Sequence, residues 1–551
     1  MNELLYTPSE TLKVVLKVIE VEVHQQLRAF LRSQAEPYWP HHLTMGRLVA
    51  RALRLGRSAL IQTGVPSVGF YGRHRLSYLM PILMWSSPAI LVAPDSVQQR
   101  LQFVEIPQLQ QWIGTHKTIR TGDRWPGEDF PGLLIISPES WLADRLSDSG
   151  RLPRGVPTIL DCADQLEQSA RQQLSFSLNE SDWNQLLLAR PDRAETIRQV
   201  RVKLTHSLFQ HPANPYQCYL LDQTEQEILQ DLLNALEFSP QTDSGSISDR
   251  GKVLSLPDNW HLFWQQFHPH NAAQEGNSAI DRSSLLWAEV NRDRGQFTLS
   301  SGPIEVASAL ANVWPQQPVV LIGGALDLDS DASIYRQKVG LGDLTCVKFS
   351  VDRQNEIIQL YLPERIPMPN TPQFQGVLLE QLRQLLCISA SAKGLTVIVV
   401  DDVPLKARLG SILAAEFGSR VQVEKPPEND QGILVTGWEY WCQHPPSFFP
   451  PPKLLAIATL PIPSLENPLV AGRVAYYKQN RQDWFRLYLL PTALNTLQQA
   501  IAPLRQTQGV VALLDNRTLH RTYGKEVLAA LSPYARIDYL DITCFGDAKN
   551  N

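Results

Sequence analysis

The chain has 551 residues, 43% of them hydrophobic and 19% charged, with a net charge of −5. That length exceeds what one hydrophobic core serves, so several domains are expected, and the acidic balance excludes general electrostatic adhesion to nucleic acid. The six cysteines never form Cys-x-x-Cys, which argues against a zinc site or a disulfide framework and for a reducing, cytoplasmic setting.

Thr7-Pro8-Ser9-Glu10 reads as a helix start, followed by an apolar stripe through Leu12, Val15, Leu16, Ile19, Val23, Leu27, Phe30 and Leu31. Val18–Val23 also alternates as a strand would. No secretory signal is visible, because Glu3, Glu10, Glu20 and Glu22 break up the N-terminus, and no membrane span is visible, because serines and prolines interrupt the longest apolar stretch, Leu76–Val92. Leu43–Leu55 is a second amphipathic helix with Arg47, Arg51 and Arg54 on one face, either a phosphate-binding stripe or a solvated surface.

The stretch Ser58–Pro94 reads strand, glycine-bearing loop, apolar helix, strand, the order that opens a phosphate-cradling nucleotide fold. Such a loop requires Gly-x-x-x-x-Gly-Lys-Ser/Thr, whose lysine meets the outer phosphates and whose hydroxyl holds Mg²⁺. Gly64 and Gly69 have the spacing, but Phe70 and Tyr71 then stand in the lysine and hydroxyl places. Counting back from the helix puts His74 and Arg75 there instead, so the loop is lengthened. Gly64, Gly69, Gly72, Arg73, His74 and Arg75 are the candidate nucleotide-binding residues. The other reading is a basic turn joining a strand to a helix.

Further on, Val156–Leu160 is a strand ending in Asp161-Cys162-Ala163-Asp164. Asp161 is either a Mg²⁺ ligand or a helix cap. Residues 165–280 read as a mainly helical insertion containing a polar loop, Ser239–Asp249. Leu285–Val290 and Gln296–Leu299 return to strand patterning. Strands at Val319–Ile322, Leu395–Val400, Gly432–Thr436, Leu454–Leu460 and Val510–Leu514 alternate with helices, which implies a second α/β domain with a parallel sheet.

Several of these segments together resemble the DinG/XPD group of superfamily 2 DNA helicases. Leu76-Ser-Tyr-Leu-Met-Pro81 is similar to the helix after that family's phosphate loop. Leu285–Leu299 resembles the strands before its third motif. Leu460-Pro461, Asn467-Pro-Leu469, Leu490-Pro-Thr-Ala493 and Gly509–Arg517 follow its C-terminal pattern, the last most specifically. The resemblance implies an α/β fold of two RecA-like domains around an ATP·Mg²⁺ cleft, with single-stranded DNA across the top. It places the first domain at 41–164 with 281–345, after an N-terminal helical segment 1–40, and the second at 346–551.

The family's chemistry transfers poorly onto these residues. Its Asp-Glu-Ala-His motif is Asp161-Cys162-Ala163-Asp164 here, its third motif is Gly323-Gly324-Ala325, and its adenine-reading glutamine position is His42. In its final motif Gln499 matches, Pro503 replaces the first arginine, and Arg505 is what remains of the second. Asp161, Gln499 and Arg505 are thus the candidate catalytic remnants. The cysteines of the iron–sulfur subgroup are absent between Gly64 and Asp161, so no cluster is expected, and no metal ligand set is assigned.

The expectation is a helicase homologue that binds single-stranded DNA or another nucleic acid with little or no ATP hydrolysis. The alternatives are an active ATP-dependent helicase and a scaffold that docks a protein partner through the insertion. Trp141 with Arg145, and Lys478 with Arg481, have the composition of single-strand binding clusters.

Overall fold

The computed structural model describes residues 19–34, 39–64, 72, 74–237, 256–267, 284–351, 356–390, 392–444 and 448–545. The expected helix start at Thr7, the residues Gly69 and Arg73, and the loop Ser239–Asp249 lie outside them. The N-terminal helix runs Ile19–Ser33 and buries Val23, Leu27, Phe30 and Leu31, so the strand-like alternation there yields to the helical stripe. It packs on helix His42–Leu55, where Arg54 is held by a forked bond to Glu20.

Strands β1 (Ala59–Gln62), β2 (Ala89–Val92), β3 (Ile119–Thr121), β4 (Leu133–Ile136) and β5 (Thr158–Leu160) follow, with helix Arg75–Met84 joining β1 to β2. β6 (Phe176–Leu178) and β7 (Cys218–Leu220) lie among helices, and β8 (Ser284–Asn291) and β9 (Gln296–Pro303) form a hairpin. β10 (Val319–Gly323) and β11 (Thr345–Lys348) complete a seven-stranded parallel sheet ordered β11-β1-β10-β5-β2-β4-β3. Alternate residues feed two cores: Ile61, Leu91 and Ile135 face one layer of helices, and Leu60, Ile90 and Leu134 the other.

The second sheet contains β12 (Ile358–Tyr361), β13 (Leu395–Val399), β14 (Val421–Val423), β15 (Ile433–Thr436), β16 (Pro452–Ile457), β17 (Val510–Leu513) and β18 (Tyr534–Ile537). It too is parallel, ordered β14-β15-β13-β16-β17-β12-β18. The fold is therefore the expected α/β pair of RecA-like domains. The boundary drawn at 345 falls inside β11, which pairs with β1, so the first domain extends through Lys348.

The insertion differs from its sequence reading in one respect. Helices 166–173, 180–189, 194–210, 223–237 and 258–266 are present, but they surround a four-stranded antiparallel sheet, β6-β9-β8-β7. β8 and β9 belong to this sheet rather than to the first parallel one. The half-buried pattern of β8, which alternates over its last four residues, suits an antiparallel sheet covered on one face, whereas strands buried on both faces read as continuous apolar runs.

Candidate functional site

β1, β5 and β10 end side by side, and the sequence after each end builds the site. Past β1 the chain turns at Gly64, whose φ of +71° lies in the left-handed region and whose Cα approaches the Phe349 and Val351 backbone. Past β5 stands Asp161, 1% exposed. Past β10 come Gly323, Gly324 and Ala325. The amides of Gly324 (2.9 Å) and Ala325 (3.3 Å) donate to Asp164 Oδ1. The last position of the Asp-Cys-Ala-Asp segment thus clamps the Gly323-Gly324-Ala325 loop. Gln62 fixes the same loop, accepting from the Leu326 and Asp327 amides.

Asp161 is enclosed by the helix that follows the loop. His74 Nε2 lies 3.1 Å from Oδ1, while Arg75 Nε (3.2 Å) and the Tyr78 hydroxyl (2.6 Å) donate to Oδ2. Arg75 is 1% exposed and also lies 3.8 Å from Glu105. Its guanidinium sits against Gly72, where any side chain would collide with it. Burial raises the Asp161 carboxyl, but the His74 bond and charge, the Arg75 charge and the Tyr78 bond outweigh it and hold the group below its ordinary range. Burial disfavours the Arg75 cation, and the Asp161 and Glu105 carboxylates beside it more than restore it. The neighbouring Cys162 thiol is pushed well up by burial and by the Asp161, Asp164 and Glu139 charges, so it stays protonated at neutral pH.

The sequence brings His74, Arg75 and Asp161 to one place, as the loop reading requires, but the two basic side chains point inward to the carboxylate. Tyr78 and Glu105 were not anticipated. Tyr78 lies three residues after Arg75 on one helix, a spacing that puts both on the same face and could have flagged it. His42 accompanies this group: its Nδ1 lies 2.8 Å from Ser77 Oγ, and burial, with the charges of His74 and His41, pushes it down to about 3.

Between the two domains lies a cavity of about 250 Å³, lined by Gly64, Asp164 and Phe349 from the first and by Gln499, Arg505 and Pro533 from the second. Gln499 donates to Asn495 from helix Leu490–Thr507. Arg505 is 7% exposed and donates to the carbonyls of Glu356, Leu531, Ser532 and Pro533. Burial lowers it to about 10, and its donors serve the end of helix Gly524–Leu531.

The two proposed nucleic-acid clusters separate. Trp141 is fully buried and Arg145 is 4% exposed, its donors held by the Leu152 and Pro153 carbonyls. The expectation that this pair faces nucleic acid is corrected: helix Pro138–Ser147 turns both side chains into the first domain's core. Lys478 and Arg481 are exposed, and Lys478 Nζ lies 5.2 Å from the centre of the Trp484 ring.

Among the described residues, His211, Asp222 and Glu225 in the insertion lie close enough to share an ion. Asp222 and Glu225, however, form the reciprocal cap of helix Gln223–Glu237, and His211 closes on the buried Glu225 carboxylate.

Two parallel sheets with a glycine turn, a strand-end aspartate and a facing helix across an inter-domain cleft define the RecA-like class of the P-loop fold. Residues 452–534 match the helicase C-terminal domain family. The chain is 23% identical over 256 residues to the ATP-dependent DNA helicase YoaA of Escherichia coli, a match covering 44% of this chain and 40% of that protein. It is 21% identical over 339 residues to the ATP-dependent DNA helicase DinG of Photobacterium profundum, covering 56% and 47% respectively. The matches thus span less than half the length of these curated relatives. Among solved structures, the Xpd4 protein of S. tokodaii aligns over 90% of this chain and 99% of its own, with TM-score 0.55 and 12% identity. An XPD helicase aligns over 92% and 100%, with TM-score 0.56 and 12% identity. The chain is thus similar in sequence to the DinG and YoaA helicases over part of its length, and it shares its fold with the XPD structures. No helix among the described residues is long and apolar enough to cross a membrane.

Proposed function

We propose that this protein is a helicase homologue that binds single-stranded nucleic acid and hydrolyses ATP slowly or not at all. The observation that carries this reading is the enclosure of Asp161 by His74, Arg75 and Tyr78. In P-loop enzymes the strand-end aspartate helps to hold Mg²⁺ on the phosphates, and a separate residue positions the attacking water. Here the donors around Asp161 are an imidazole, a guanidinium and a phenol, none of which coordinates beside Mg²⁺ as a carboxylate or water does. Arg75 supplies from within the fold the positive charge that an ion would bring. Cys162, held as a thiol, stands where the family has its glutamate, and it is no general base.

The nucleic-acid part of the reading is supported by the relatives, whose names describe DNA helicases, and by the exposed Lys478 and Arg481 beside Trp484. The test is ATP turnover by the purified protein with and without single-stranded DNA, together with DNA binding at low salt. Binding without turnover is the expected result. Turnover on the order of 1 s⁻¹, abolished by Asp161→Ala, would identify an active ATP-dependent helicase instead. Absence of single-strand binding at low salt would leave a protein-docking scaffold.

A further inference from the structure

The antiparallel sheet of the insertion touches both RecA-like domains, one at each edge. Its order is β6-β9-β8-β7. At the β6–β9 edge, helix 166–173 leads into β6 and buries Leu166 and Ala170 in the core of the first domain, while its Arg171 donates to the Pro303 and Ile304 carbonyls at the end of β9, so this helix ties the sheet to the first domain. At the β8–β7 edge the sheet meets helix Pro468–Gln479 of the second domain. Gly472 on that helix lies directly over two leucines of the sheet. A Cβ there would stand 2.9 Å from Leu285 Cδ2 of β8 and 3.1 Å from Leu220 Cδ1 of β7. A small side chain there would push the two leucine methyls aside, and a large one would force the helix off the sheet.

Polar contacts continue along the same seam. The Tyr476 hydroxyl lies 3.4 Å from Glu305, in the segment leaving β9. Glu167, paired with Arg171 at 2.8 Å and Lys338 at 3.7 Å, faces Tyr477 and Gln482 across a cavity of about 150 Å³. Arg473, one residue beyond Gly472, stacks its guanidinium 5.6 Å from the centre of the Tyr488 ring. The seam is a joint with an apolar centre and a charged rim, distinct from the nucleotide-side cavity, whose lining includes Ala325, Ala502, Ala529 and Ala530.

We infer that the insertion sheet is a clasp: it holds the second domain against the first through Leu220, Leu285 and Gly472, so that domain spacing does not depend on nucleotide. The contact requires nothing of the nucleotide cleft, so the inference stands apart from the reading of Asp161. In this role the insertion restrains the opening between the domains, and any nucleic acid bound across both of them meets a preset spacing.

The test is hydrogen exchange on the full chain, with ATP turnover measured in parallel. In the wild-type protein, protection of the amides in β8 and in residues 468–479 should be the same with and without ATP·Mg²⁺. Gly472→Leu should lower that protection about tenfold or more while the two parallel sheets keep theirs. Adding Leu285→Ala to Gly472→Leu makes room for the new side chain and should restore most of the protection, which a general folding failure would not allow. Changed wild-type protection on addition of ATP·Mg²⁺ would overturn the clasp, as would undiminished protection in Gly472→Leu. Turnover reports on the Asp161 site alone, so the two readings fail separately.

Discussion

Each RecA-like domain places a buried aspartate just past the end of a central strand and neutralises it with an arginine, but the arginines come from different distances. In the second domain Asp515 is bound by Arg517, two residues on, through a fork with bonds of 2.6–3.0 Å, and it also accepts from the Leu460 amide. In the first domain Asp161 is bound by Arg75, 86 positions earlier in the chain, with His74 and Tyr78 beside it. The second pair is a local turn within a segment that matches the helicase C-terminal family. The first is a long-range closure in the place where nucleotide chemistry is expected. The second domain's ion pair is built within one short turn, whereas the first domain's pair requires the helix after the loop to turn Arg75 inward onto a distant strand end.

The sharpest test of this contrast is to remove each acid in turn. Asp161→Asn removes the buried carboxylate that pairs with Arg75, while Glu105 at 3.8 Å remains as a counter-charge. Breaking a buried pair from one side costs about 3–5 kcal/mol, and that loss is expected in the urea unfolding free energy. Asp515→Asn should cost about 1 kcal/mol, because the Arg517 side chain is 25% exposed and can turn to water. If Asp161 were instead held open for a metal ion, its replacement would leave stability unchanged or raised, and the two variants would exchange ranks.

A smaller effect separates the domains by pH. The His42 imidazole, pushed down to about 3, stays neutral in the folded first domain, while the unfolded chain takes up its proton near the ordinary value of about 6.5. Below that pH the unfolded state binds one more proton, so stability falls as the pH drops from about 6.5 toward 3. The slope approaches ~1.4 kcal/mol per pH unit, or ~2 kcal/mol between pH 7 and pH 5. His42→Gln keeps a polar group near Ser77 and should remove that loss. Unfolding curves of both proteins at the two pH values measure it, and an equal fall in wild type and variant would show that His42 is not the group refusing the proton.

The parallel sheets were legible because strands buried on both faces read as continuous apolar runs, as Val319–Ile322 and Leu395–Val400 do. In the second domain the strand ending at Asp515 was legible, but its pairing with Arg517 was not read from the sequence. The insertion sheet was not: β6 and β7 are three residues each, too short to carry a period, and they pair with β9 and β8 from far along the chain. At the site, residue types announced a cationic helix start, but whether Arg75 faces an outside anion or an inside carboxylate depends on packing that no local pattern encodes. Trp141 and Arg145 misled for a related reason. An aromatic beside an arginine has one composition whether it stacks on a base or caps backbone carbonyls in a core.

That ambiguity gives the smallest effect its interest, because Lys478 and Arg481 share the composition of Trp141 and Arg145 but not their burial. Exposed cations beside an aromatic ring can track a phosphate backbone, and each single-strand phosphate contact contributes about 0.7 to the salt slope of binding. Reversing both to glutamate should therefore lower the slope by about 1.4 and weaken single-strand binding at least tenfold, ~1.4 kcal/mol. Urea stability should hold, since neither side chain is part of a core. Arg145→Gln should behave in the opposite way. It leaves the Leu152 and Pro153 carbonyls short of donors, so stability falls by about 1–3 kcal/mol, while the salt slope of the protein that remains folded is unchanged. Titrations of a labelled oligonucleotide at several salt concentrations, set beside urea curves, read both quantities. If the Lys478 and Arg481 reversal leaves affinity and slope untouched, nucleic acid does not pass this helix, and the exposed cations serve only to keep the surface in water.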